Sequence, residues 1–99
     1  MDKVYSLEEI KGIAVPIAMS YGVKKLAIFG SYARGEQSVE SDLDFVIDKG
    51  EIFGWDYFSF ADELEQAFHL PVDLMTYNAM KKSFVSDAIK DEVVLYEKY

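Results

Sequence analysis

A chain of 99 residues, half of them hydrophobic and 15% aromatic, is expected to fold as one small domain, residues 1–99, and is not disordered. It contains no cysteine, which excludes disulfides, thiolate metal sites and thiol catalysis. A net charge of −8 makes direct binding of nucleic acid unfavourable and suits a basic protein partner.

The N-terminus lacks signal-peptide character, and no apolar run approaches the ~20 residues that cross a bilayer. The expectation is a cytoplasmic protein without membrane contact. The first predicted element is a helix starting at SLEE, where Ser6 and Glu9 spell a capping box worth about 1 kcal/mol. Ile10, Ile13, Ala14, Ile17 and Tyr21 continue it at helical spacing, and Gly22 ends it. Pro16 sits inside the pattern and is expected to kink or split the helix.

KKLAIFG reads as a short buried strand closed by Gly30. Ser31 opens a short helical turn that Gly35 ends. SDLDFVID then alternates, with Leu43, Phe45 and Ile47 facing one way and Asp42, Asp44 and Val46 the other. Tyr57, Phe60, Ala61, Leu64, Ala67 and Phe68 form the stripe of a second long helix. PVDLMTY is a third strand, with Pro71 at its first position, where a missing donor is tolerated. Asn78 is expected to cap a last helix reaching about Lys90, and EVVLYEKY closes the chain as a terminal strand or tail. The order predicts an α/β (α+β) fold, a small sheet flanked by helices.

Within this frame GSYARGEQSVESDLDFVID joins two kinds of chemistry. Gly30 allows a ligand close to the backbone, and the N–H groups and hydroxyl at Ser31 suit a phosphate. Arg34 is the only arginine of the chain, and its fork fits a phosphate or pyrophosphate; an ion pair with Glu36 or Asp42 is the competing use. Asp42 and Asp44 share one strand face, where they repel unless a cation lies between them. Asp73, on the next strand, can join them. Oxygen-only ligands favour Mg2+, with Mn2+ as a substitute, and three converging carboxylates suit two ions.

Other motifs fail on particulars. Gly30 and Gly35 have the spacing of a P-loop, but Glu36 and Gln37 stand where lysine and serine or threonine are required. Asp42 and Asp44 are followed by Phe45, Val46 and Ile47, which excludes an EF-hand. A bare D-x-D is weak and recurs in sugar-nucleotide transferases.

The combination of Gly30-Ser31, ten intervening residues, Asp42-x-Asp44 and a later strand-borne Asp73 resembles the polymerase beta-like nucleotidyltransferase superfamily. The fuller wording from Phe29 to Asp48 closely resembles its minimal nucleotidyltransferase (MNT) group, across essentially the whole chain. The resemblance implies metal binding by Asp42, Asp44 and Asp73, with Asp73 also the base for the incoming hydroxyl, and phosphate binding at Ser31. It further implies an antitoxin that transfers AMP from ATP to a tyrosine of a HEPN-type RNase toxin. Two alternatives are an antitoxin acting by binding alone and a small-molecule nucleotidyltransferase; the missing substrate lobe argues against the latter.

Remaining features have plainer uses. His69 is read as a helix C-terminal residue near free carbonyls. Lys81 and Lys82 suit a solvated helix face. Phe53, Trp55 and Phe58 lie off the second helical stripe; they either cover one end of the core or form a patch for a partner.

Overall fold

In the computed structural model, which describes residues 4–38, 42–48, 50, 54–81 and 92–98, the chain runs α1 (Leu7–Ser20), β1 (Lys25–Phe29), α2 (Ser31–Arg34), β2 (Leu43–Asp48), α3 (Trp55–Phe68), β3 (Val72–Thr76), α4 (Tyr77–Lys81) and β4 (Val93–Glu97). The strands form one mixed sheet in the order β3-β2-β1-β4. β1 is antiparallel to both β2 and β4, whereas β2 and β3 are parallel. That parallel pair needs a crossover, and α3 supplies it. The C-terminal segment is therefore a paired strand rather than a tail. Among the described residues no helix is long and apolar enough to cross a membrane.

Alternation divides the sheet into two faces. Leu26, Ile28, Leu43, Phe45 and Ile47 pack with Ile10, Ala14 and Ala18 of α1 and Phe60, Leu64 and Phe68 of α3. The opposite face buries Ala27, Phe29 and Val46, with Met75 and Tyr77 against them. Between Leu26 and Ala27 the register with β4 slips, leaving Leu95 without an opposed residue, yet buried in the main core.

The capping box forms at the start of α1: Glu9 N–H donates to Ser6 Oγ at 3.1 Å, and Ser6 N–H donates to Glu9 Oε1 at 3.1 Å. Of the two outcomes expected for Pro16, a kink or a split, the split does not occur: α1 runs unbroken from Leu7 to Ser20. The carbonyl that Pro16 deprives of a donor belongs to Gly12, and both residues lie on the exposed side, where water takes the orphaned group.

Other particulars differ too. Ala67 is exposed rather than part of the buried stripe of α3. Asn78 is not a cap but lies inside α4, whose Ala79 N–H is accepted by Thr76 Oγ1 at 3.1 Å. The expected continuation of that helix to Lys90 lies outside the described residues, as do Phe53 and Lys82.

α3 also blunts the open edge of β3. Glu65 Oε1 accepts from Val72 N–H at 3.0 Å, and Tyr57 donates its hydroxyl to the Leu74 carbonyl at 2.6 Å. Two backbone groups that would invite another strand are thereby occupied.

Candidate active site

The site lies where β1 ends and β2 and β3 begin, on the face away from α1 and α3. Its first part is a turn dictated by glycine. Gly30 adopts φ 76°, ψ −152°, a conformation essentially restricted to glycine. A Cβ there would lie 2.5 Å from Asp44 Oδ2, so the absent side chain also makes room for the carboxylate. Arg34 N–H bonds back to the Gly30 carbonyl at 3.2 Å. Gly30 offers no side-chain cap to the N–H groups ahead of it.

The short turn is held by its ends. The Tyr32 ring is buried in the main core, and Gly35 closes the helix in the left-handed conformation. Ser31, between Gly30 and Tyr32, is half-buried. Sequence reading passed over Tyr32; the available signal was a large aromatic inside an otherwise small and polar turn.

The second part is set by strand register. Asp44 pairs with Phe29 on one side and with Asp73 on the other. Register partners on neighbouring strands present side chains to the same face, and the Asp44 and Asp73 carboxyl groups are hydrogen-bonded to each other. Burial, that bond, and the nearby charges of Asp73 and Asp42 push the Asp44 carboxyl up to about 6, against an opposing pull from Arg34.

Asp42 precedes β2 and is exposed. Its charge reaches Asp44, but among the described residues no three potential ligands stand grouped at metal-binding separation. The structure thus brings Asp44 and Asp73 together and leaves Asp42 at their rim. The donor set is all oxygen, which suits a hard divalent cation rather than zinc.

Arg34 Nε lies 3.1 Å from Glu36 Oε1 at the surface, so the ion pair weighed from the sequence forms. The same guanidinium acts on Asp44. His69 caps α3 at φ 57° in an exposed position.

A polar cluster that sequence reading missed occupies the other end of this face. Tyr77 donates its hydroxyl to Glu92 Oε2 at 2.7 Å, Lys25 Nζ is 3.6 Å from Glu92 Oε1, and the same nitrogen lies 4.9 Å from the Tyr77 ring centre. Burial first, then Glu92, pushes the Tyr77 phenol well above its ordinary value. The signal was Lys25, in phase with Ala27 and Phe29 on β1.

The chain is similar to known proteins over most of its length. Residues 13–99 match the family described as "Polymerase beta, Nucleotidyltransferase". A Methanocaldococcus jannaschii protein named "Putative protein adenylyltransferase MJ0435" is 39% identical over 90 residues, covering 90% of this chain and 96% of that protein. "Protein adenylyltransferase MntA" of Thermococcus cleftensis is 32% identical over 93 residues, covering 89% and 94%. Among solved structures, the complex of tri-AMPylated Shewanella oneidensis HEPN toxin with MNT antitoxin contains a chain of similar fold. It has a TM-score of 0.65 at 13% identity, covering 93% of this chain and 73% of that one.

Proposed function

Because this chain belongs to the polymerase beta nucleotidyltransferase family and is a nucleotidyltransferase, we propose that, as a single-domain antitoxin, it transfers AMP from ATP to a tyrosine hydroxyl of a HEPN-domain toxin. The relatives' names supply the protein adenylyl transfer, and the AMPylated toxin in the similar complex supplies the partner class. The observation that carries the chemistry is the hydrogen-bonded Asp44–Asp73 pair beside the Gly30 turn.

In this reading Asp44 and Asp73, completed by Asp42, hold Mg2+, for which Mn2+ substitutes. The donor chemistry fits: acids that burial and mutual repulsion hold together, as the raised Asp44 carboxyl records, would favour a hard divalent cation between them. When bound, the metal neutralises charge on the triphosphate and on the attacking oxygen. Gly30 admits the phosphates close to the backbone, Ser31 offers its N–H and hydroxyl, and Arg34 steadies the departing pyrophosphate. The tyrosine oxygen attacks the α-phosphorus, the bond to the β-phosphate oxygen breaks, and pyrophosphate leaves. The phenolic proton passes to the Asp73 carboxylate.

The test is AMP transfer to the purified HEPN toxin, followed by intact mass. Asp44→Asn and Asp73→Asn are each expected to reduce transfer by at least about a hundredfold with unchanged circular dichroism. Ser31→Ala has a smaller effect, about tenfold or more. Near-wild-type transfer by both aspartate variants would remove the assignment.

A further inference from the structure

Trp55 and Phe58 are the two most exposed large hydrophobic side chains among the described residues, at 84% and 64%. They stand one turn apart on α3 with ring centres 6.2 Å apart, and Tyr57 meets Phe58 edge-on at 5.7 Å. Tyr57 is itself tied to the Leu74 carbonyl, so the pair rests on a fixed support. Neither ring belongs to the main core. Of the two uses weighed from the sequence, covering the core does not fit them.

The charge of the helix itself has one sign. α3 carries Asp56, Asp62, Glu63 and Glu65 and neither lysine nor arginine. Aromatic anchors on an acidic helix fit a surface that offers an apolar notch bordered by lysine or arginine. A second copy would bring a like-charged helix and a further −8. An anionic membrane or a nucleic acid would meet the same repulsion.

We infer that the outer face of α3 around Trp55 and Phe58 is the docking surface for a basic protein partner, separate from the site of chemistry. The topology gives the separation. α3 begins after the C-terminal end of β2 and lies on the opposite sheet face from Asp44 and Asp73, which sit at the strand starts. Binding and nucleotide transfer are therefore carried by different residues. The inference rests on the reading that the chain acts on a protein, and adds where that protein is held.

Trp55 is the only tryptophan and reports on its own surroundings. Titration with the purified HEPN toxin is expected to shift its emission to the blue and to shield it from acrylamide. Trp55→Ala and Phe58→Ala should each weaken binding about tenfold or more. Asp62→Lys and added salt should weaken it as well, whereas Asp44→Asn should bind like the unaltered chain. A complex in which Trp55 stays equally quenchable, or in which Trp55→Ala binds unchanged, overturns the surface and leaves the partner class standing. No complex with the unaltered chain overturns the partner class, and the surface with it. Self-association in sedimentation equilibrium that disappears in Trp55→Ala assigns the face to a second copy and overturns the inference.

Discussion

The two faces of β2 are made by alternate residues and obey different rules. Leu43, Phe45 and Ile47 are wholly buried, apolar and in contact with the helical layer. Asp44, one residue away, is half-buried against another acid and carries a raised carboxyl. The first set gains from being out of water. The second is held in place at a cost, because desolvation and like charge both disfavour its ionised form. A single strand thus carries buried apolar residues on one side and, next to the buried Val46 on the other, the acid of the candidate site, and substitutions of Phe45 and of Asp44 should have opposite consequences.

The largest expected effect comes from Phe45→Ala. Removing a ring with no exposure that packs near Phe68, 6.1 Å between centres, should cost about 3–5 kcal/mol in urea unfolding. If stability changes by less than about 1 kcal/mol, the division of faces fails on the apolar side.

Gly30→Ala comes next, because it joins both rules at one position. The substitution forces an unfavourable φ and places a carbon against Asp44 Oδ2. The expected loss is about 1–3 kcal/mol, together with loss of AMP transfer. Full activity with a normal melting temperature would show that the turn does not need glycine.

On the acidic side the sign reverses. Because the Asp44 carboxyl titrates near 6 in the fold against an ordinary 3.8, the folded state binds more protons than the unfolded chain between those values. Stability therefore falls as pH rises from about 4 to about 6, and the deficit persists above 6. Asp44→Asn should raise metal-free stability at pH 8 by on the order of 1 kcal/mol after allowance for solvent screening, and by much less at pH 4. Equal gains at both pH values would mean that charge is not the cause. Magnesium should reduce the difference at pH 8.

Which features were legible in the sequence follows from how local their causes are. The capping box at Ser6 and Glu9, the alternation through Leu43–Asp48 and the stripe of Phe60, Leu64 and Phe68 depend on neighbours within one turn or strand, and they were read directly. The sequence spacing also named Asp44 and Asp73, but their adjacency depends on the parallel register of β2 and β3, which no residue in either strand announces. Whether Pro16 splits α1 was not legible, because it depends on whether the Gly12 carbonyl can meet water, a tertiary matter. Thr76 displaced Asn78 as the cap because β3 ends at Thr76, one residue earlier than the expected strand. The Lys25–Tyr77–Glu92 cluster draws on β1, α4 and the residue ahead of β4, and only the assembled sheet brings them together.

The smallest effect tests how far the field of the acidic face extends. Arg34 and Glu36 form an exposed pair, with side-chain exposures of 43% and 64%, so Glu36→Gln should change stability by no more than ~0.5 kcal/mol. Arg34→Gln should be equally mild for folding, yet it removes the charge that restrains Asp44. Its carboxyl should then titrate above 6 in the metal-free protein, observed through the side-chain carbon resonance. The direction matters more than the size: a positive group among carboxylates lowers their pKa, and its loss can only raise them unless the turn rearranges. An unchanged titration with the turn intact would confine Arg34 to its surface pair and remove it from the set proposed to steady pyrophosphate.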